Sequence, residues 1–138
     1  MTLTVTEKAP APVGLYPHAR RVGDLLFLSG VGPRTPGSNL IPGNIYDADG
    51  RLTGYDIALQ CHQVFANVRA VLEAAGAHWE DLVDVTVFLT DMPSDFATYN
   101  HIYAEYFSEV QPCRTTLGIS TLPTPIAIEL KCIAALPK

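Results

Sequence analysis

Positive charge is scarce in this sequence: nine Lys and Arg stand against fourteen Asp and Glu, for a formal net charge of −5. No basic run is longer than Arg20-Arg21. Such a chain lacks the electrostatic footprint of a nucleic-acid binder. Cysteine is sparse too. Cys61, Cys113 and Cys132 are odd in number, widely spaced and set in apolar stretches, so they read as reduced core residues and not as a disulfide frame. The histidines, at 18, 62, 78 and 101, have no ligand spacing, so no metal site is expected. No apolar run approaches the roughly 20 residues of a membrane span. The first ten residues lack a basic stretch followed by an apolar one, and the protein is expected to be cytoplasmic, with no membrane partner. Ser29 and Ser120 lack a Ser-His-Asp context, and Gly30-Val-Gly32 opens no helix, which excludes a nucleophile elbow and a dinucleotide fingerprint.

What is present is apolar. Of 138 residues, 48% are hydrophobic and only 17% charged, with a mean hydropathy of +0.17. That length suits one domain, and so little polar surface favours an oligomer that buries part of its exterior. Residues 1–12 read as an N-terminal arm ending in Ala-Pro-Ala-Pro, and 13–138 as the domain. Val13–Val22 and Asp24–Ser29 flank a Gly23-Asp24 turn and predict a hairpin. Pro33 to Gly54 is a long excursion rich in Pro, Gly, Asn and Asp, with one short strand expected around Leu40–Ile45. Excursions of this length are often functional or lie at interfaces. Asp56 is placed to cap a helix over Ile57–Ala75, whose apolar residues keep helical spacing up to Gly76. Leu82–Leu89 reads as a strand, about Asp95–Phe107 as a second helix capped by Ser94, and Arg114–Ser120 and Ile126–Ala134 as closing strands. The order β-β-(β)-α-β-α-β-β predicts an α+β fold with a mixed sheet and both helices on one face.

Two opposite charges stand in those closing strands. Burying either one unpaired would cost several kcal/mol. Strand parity puts Arg114 on one face with Thr116 and Gly118, a floor suited to a carboxylate because Arg presents a planar fork. Arg114 could equally pair with an acid at a strand end. Glu129 shares a face with Ala127, Lys131 and Ile133. It is either a general acid/base tuned by burial or a partner for Lys131 or a cross-strand cation. Tyr16 could close a pocket or pack on the sheet. Asn100, on the second helix, could make a specific hydrogen bond or face solvent.

Beyond these residues, several segments carry a resemblance. Gly14-Leu-Tyr-Pro-His18, Leu26-Phe-Leu-Ser-Gly30, Val71-Leu-Glu-Ala-Ala-Gly-Ala77, Val85-Thr-Val-Phe-Leu-Thr-Asp91, Asp95 to Phe107, Pro112-Cys-Arg-Thr-Thr116 and Ile128-Glu-Leu-Lys-Cys-Ile-Ala134 together resemble the RidA/YjgF family of enamine/imine deaminases. The resemblance implies a chorismate-mutase-like α+β domain assembled as a homotrimer, with sites in the clefts between subunits and no metal or organic cofactor. It also implies a carboxylate-binding role for Arg114, a water-orienting role for Glu129, and site positions at Tyr16, Gly30 and Asn100. Many members carry Cys where this chain has Thr116, so a thiol role is absent. The 33–54 loop is longer than in the general imine deaminases.

Within the family, the Leu15-Tyr-Pro-His-Ala-Arg-Arg-Val-Gly-Asp24, Asn44-Ile-Tyr-Asp-Ala-Asp-Gly50 and Tyr103-Ala-Glu-Tyr-Phe107 segments resemble the 2-aminomuconate deaminases of aromatic degradation. The implied reaction gives 4-oxalocrotonate (2-oxohex-3-enedioate) and ammonia. A dicarboxylate needs a second anchor. The basic candidates are His18, Arg20, Arg34 and Arg51, with Arg34 and Arg51 favoured because they flank the long loop. The alternatives are a generalist deaminase of small 2-imino acids and a non-catalytic trimer that binds a 2-oxo acid.

Overall fold

The computed structural model describes residues 2–137. The helix expected from residue 57 is α1 (Ile57–Ala74), capped by Asp56, which accepts from the N–H groups of Ala58 and Leu59. It stops where Gly76 turns to φ 79°, a left-handed conformation glycine adopts without a Cβ penalty. The second helix, α2 (Met92–Tyr106), starts three residues ahead of the expected Asp95. Asp91, and not Ser94, is its cap. The Asp91 carboxylate accepts from the Ser94 N–H at 3.2 Å, and Pro93 sits in the first turn, where a missing N–H costs no helical bond.

Eight strands accompany the helices: β1 (Thr2–Thr4), β2 (Ala19–Val22), β3 (Leu25–Leu28), β4 (Ile45–Tyr46), β5 (Leu52–Gly54), β6 (Leu82–Leu89), β7 (Cys113–Gly118) and β8 (Ile128–Ala135). Six form one sheet in the order β1-β2-β3-β8-β6-β7. Only β6 and β7 run parallel, joined through α2; the other pairs are antiparallel. The sheet is therefore mixed, with β7 at one edge.

Three local expectations change. The stretch read as an arm enters the sheet at Thr2–Thr4, pairing with β2; its Thr-Leu-Thr-Val alternation is a strand pattern that becomes a strand once it has a partner. Conversely, Val13–His18, expected in the first hairpin, is not a strand, and β2 begins only at Ala19. The short strand of the long loop lies at 45–46, not 40–45, and pairs with β5 in a hairpin of its own. Its turn is built on the Asp47 carboxylate, which accepts from the N–H groups of Asp49 and Arg51 at 2.9 Å each.

Both helices cover one face of the large sheet. There Leu26, Leu28, Val85, Val87, Leu89, Ile128, Leu130, Cys132 and Ala134 are buried against Val64, Phe65, Val68, Val71 and Leu72 of α1. An aromatic cluster ties the helix ends together. Fully buried Phe65 meets Trp79, Tyr103, Tyr106 and Phe107, and the Trp79 indole N–H donates to the Tyr106 carbonyl at 3.0 Å. Cys61 and Cys132 lie in this core, their thiols pushed up to about 12 by burial. Cys113, expected with them, is instead exposed at the sheet edge. Among the described residues no helix is long and apolar enough to cross a membrane.

The opposite face of the sheet is uncovered. Register puts Leu3, Val22, Leu25 and Phe27 on it with Ile133, and Leu117 on it with Phe88 and Glu129. Leu3, Val22, Leu25, Phe27 and Leu117 are exposed. The same register puts Arg20, Asp84, Thr86 and Lys131 on this face too, and exposed apolar residues set among polar ones suit an interaction surface better than bare solvent.

Candidate functional site

Glu129 sits on the uncovered face, in the central strand β8. Its neighbour in β6 is Phe88, which in turn opposes Leu117. Main-chain bonds fix what stands beside it: after β3, Val31 exchanges two bonds with Leu130, at 2.8 and 2.9 Å. That bridge brings Gly30 against the carboxylate, so closely that a Cβ on Gly30 would lie 2.8 Å from Glu129 Oε2. Lys131, the expected partner, instead donates to the Leu28 carbonyl. Among the described residues Glu129 has no ion-pair partner. Burial alone raises the proton affinity of its carboxyl above the ordinary value.

A cleft of about 180 Å³ opens in front of it, lined by Tyr16, Gly30, Gly32, Arg34, Ile126 and Glu129 among others. Tyr16 is partly exposed, and its hydroxyl accepts from the Val13 N–H at 3.1 Å. The strand-free segment that carries it is anchored where Ser29 donates to the Pro17 carbonyl at 2.7 Å. Arg34 donates to the Ala11 carbonyl.

Arg114 lies elsewhere. In register it opposes Val85, whose other neighbour is Cys132. Both are fully buried on the helix side, and paired residues share a face. Its guanidinium accordingly rests on α2, 4.6 Å from the ring centroid of Tyr103 and 5.4 Å from that of Tyr99. One N–H donates to Asn100 Oδ1 at 2.8 Å. Thr116, two residues along the same face, is hydrogen-bonded through its hydroxyl to that of buried Tyr99 at 3.1 Å. Burial pushes the Tyr103 phenol up to about 12, and its buried hydroxyl has no partner among the described residues. The guanidinium is thus mounted on two aromatic rings and one amide at an edge strand.

The sequence-predicted residues thus form two groups. Glu129, Gly30, Tyr16 and Arg34 meet at one cleft. Arg114, Asn100 and Thr116 meet at the sheet edge. Two strand spacings and a three-residue offset put the Cα atoms of Arg114 and Glu129 on the order of 14 Å apart, on opposite faces of the sheet. Arg51 joins neither group; it sits in the exposed turn between β4 and β5. Arg20 lies on β2, away from the cleft. His18 is buried, both ring nitrogens engaged by main chain: Nε2 with the Pro10 carbonyl at 2.8 Å and Nδ1 with the Thr6 N–H at 3.3 Å.

Two residues that hold the cleft in shape escaped the sequence reading. Gln60, wholly buried, accepts from the Ala127 N–H at 2.8 Å and donates to Asn44 at 3.0 Å, positioning the chain as it enters β8. Asn67, 1% exposed, donates to the carbonyls of both Gly32 and Arg34 at 2.8 Å. The two amides are seven residues apart on the stripe of α1 where Cys61, Val64 and Val68 are buried. Polar side chains at helical spacing on an apolar stripe were the available signal.

Comparison with known proteins agrees with this architecture. The profile of the family described as Endoribonuclease L-PSP matches residues 6–136. A RutC family protein of Pyrococcus horikoshii is 41% identical over 129 residues, covering 94% of this chain and 93% of its own. The chloroplastic Reactive Intermediate Deaminase A of Arabidopsis thaliana is 39% identical over 131 residues, 95% of this chain and 64% of its own. Among solved structures, TdcF of E. coli with bound serine superposes with a TM-score of 0.85 at 30% identity, covering 99% of this chain and all of that one. Two helices on one face of a mixed sheet, matched over nearly the whole length, leave one assignment: the chain belongs to the RidA/YjgF/RutC family.

Proposed function

We propose that the protein is an enamine/imine deaminase acting in clefts between the subunits of a homotrimer. The observation that carries the reading is Glu129: a half-buried carboxylate with no ion-pair partner among the described residues, facing a cleft beside a glycine whose Cβ would meet it. Within one chain no acid group bound to Arg114 can also reach Glu129, because the two stand on opposite faces. A second copy seated on the apolar uncovered face would bring its own β7 edge, and with it Arg114 and Asn100, to the cleft of the first.

In that cleft Arg114 clamps the carboxylate next to the amine-bearing carbon. Protonation of the enamine at carbon gives an iminium. Glu129 takes a proton from water as the oxygen adds to the iminium carbon. The proton then passes from Glu129 to nitrogen, the C–N bond breaks, and ammonia leaves as the carbinol hydroxyl gives its proton to solvent and becomes the carbonyl, replacing the solvent proton taken up at carbon. One water is consumed for each ammonia released. The iminium is itself the electrophile, so no step is assigned to a metal or organic cofactor. Burial suits Glu129 to the task, since a carboxyl with raised proton affinity is a better base toward water near neutral pH.

The substrate we propose is 2-aminomuconate, converted to 2-oxohex-3-enedioate in aromatic degradation. Support comes from the sequence likeness of the 15–24, 44–50 and 103–107 segments. A second reading, deamination of small 2-imino acids by a generalist, is favoured by the 39% identity to a reactive intermediate deaminase. Ammonia release from 2-aminomuconate and from an enzymatically generated small 2-imino acid, measured side by side, separates the two. Arg114→Ala and Glu129→Gln, folded by circular dichroism, are expected to lose at least tenfold in turnover. Wild-type turnover in both variants would remove the assigned roles. Saturable 2-oxo acid binding without ammonia release would instead establish a non-catalytic binder.

A further inference from the structure

We propose that Arg34 is an anion subsite at the end of the cleft away from Arg114, where it takes a second carboxylate of the ligand. The proposal rests on the two-chain cleft argued above, in which Arg114 of a second copy holds the first carboxylate. Four features of the chain support it.

Arg34 lines the same cleft as Glu129, yet the two do not pair. No ion pair within 4.0 Å joins the Arg34 guanidinium to the Glu129 carboxylate among the described residues. A cation and an anion that share a cleft without touching leave room for a ligand between them. The arginine is also under-used. Among the described residues its guanidinium has a single protein partner, the Ala11 carbonyl, and no carboxylate, although the group carries five N–H donors.

Its backbone is held firmly for a loop residue. Asn67, buried in α1, donates to the carbonyls of Gly32 and Arg34 at 2.8 Å each, so the side chain springs from a point fixed to the helix layer. Finally, the bond to Ala11 is not needed to hold the N-terminal segment down. His18 already does this through Pro10 and Thr6, and Thr4 accepts from the His18 N–H at 2.9 Å. The guanidinium can leave a neutral carbonyl for a carboxylate, which binds it more strongly. Among the described basic residues, Arg34 alone lines the cleft with donors to spare. The ring nitrogens of His18 are spoken for, and Arg20 and Arg51 lie elsewhere.

The test uses two unreactive 2-oxo acids of equal chain length, 2-oxoadipate and 2-oxohexanoate, which differ only in the distal carboxylate. Calorimetric titration of the intact wild-type protein is expected to show at least tenfold tighter binding of 2-oxoadipate. In Arg34→Gln that preference is expected to shrink by about 10- to 100-fold, the range for losing one charge-assisted contact. Arg34→Lys is expected to recover part of it, because it restores charge without the fork. The proposal is overturned if wild type does not prefer the dicarboxylate, or if Arg34→Gln keeps the wild-type preference. Because binding is read without turnover, absent ammonia release would refute the deaminase reading and leave this result standing. Ammonia release with no dicarboxylate preference would sink the Arg34 subsite alone.

Discussion

Replacing Gly30 with Ala tests the central geometry with one methyl group. The new Cβ would lie 2.8 Å from Oε2 and 3.0 Å from Cδ of Glu129, against an ordinary contact limit of 3.4 Å. The carboxylate must therefore retreat by about 0.6 Å, the difference between 3.4 and 2.8. It can do so cheaply for the fold, since the obstructed atoms are the end of a flexible side chain. Gly30 is also not among the positive-φ glycines, so Ala brings no left-handed strain there. Gly-to-Ala replacement where the backbone permits it gains about 0.4–1 kcal/mol from the unfolded chain, which should offset much of the crowding. The thermal midpoint is thus expected to stay nearly unchanged. Catalysis should not be spared, because a misplacement approaching 1 Å costs on the order of 100-fold in rate. We expect kcat to fall by about 10- to 100-fold, equivalent to roughly 1.4–2.8 kcal/mol of barrier. Pushed out of its burial, the carboxyl should also lose part of its raised proton affinity, so the acid limb of the kcat/KM profile moves to lower pH. Stopped-flow ammonia release across pH, beside a thermal melt, reads all three quantities. Wild-type kcat with an unmoved acid limb would refute the claim that Gly30 exists to admit this carboxylate.

Other perturbations follow from the same contacts. Glu129 has a folded proton affinity above its unfolded value, so its contribution to stability is full below pH 4.5 and is lost as pH rises through the raised value. Glu129→Gln is therefore expected to be more stable than wild type at pH 7, with the gain fading toward pH 4 in urea titrations; a gain that grows on acidification would reverse the sign. Gln60→Leu keeps the volume but strands the buried Ala127 N–H, and should cost about 1–3 kcal/mol, read as a lower urea midpoint with unchanged slope. Phe27→Asp places a charge on the uncovered face and should shift light scattering from trimer to monomer with loss of turnover. A monomeric wild type would refute that expectation at once.

Much of the architecture was legible where one pattern dominated. Helix α1 carried both periodicity and caps, and β6 is a β-branched run that cannot be mistaken. The misses share a cause. Strands β1 and β4 are three and two residues long, and such segments become strands only through partners the local sequence does not name. The cap of α2 was expected at Ser94, but Ser94 is instead the donor whose N–H the Asp91 carboxylate accepts. Arg34 and Arg51 were indistinguishable by position in the loop. What separates them is the path of the chain past α1, set by the Asn67 amide from 33 residues away.

The relation between Arg114 and Glu129 shows where strand parity ends. Parity correctly grouped Arg114 with Thr116 and Glu129 with Lys131, each within its own strand. It could not relate the two groups, because that depends on how β7 and β8 register on β6 between them. The observed pairs, Arg114 with Val85 and Cys132, and Glu129 with Phe88 and Leu117, place the charges on opposite faces. A one-residue shift in either register would have put them on the same face, still with β6 between them. As it stands, Arg114 rests on two tyrosines at an edge strand, and Glu129 stays half-buried at a cleft on the face opposite the helices. Of the two, only Glu129 carries a desolvation cost, its proton affinity raised by burial, while Arg114 is exposed and bonded to Asn100. In the trimer proposed above, a second copy over the apolar residues beside Glu129 would bring its own Arg114 to that carboxylate.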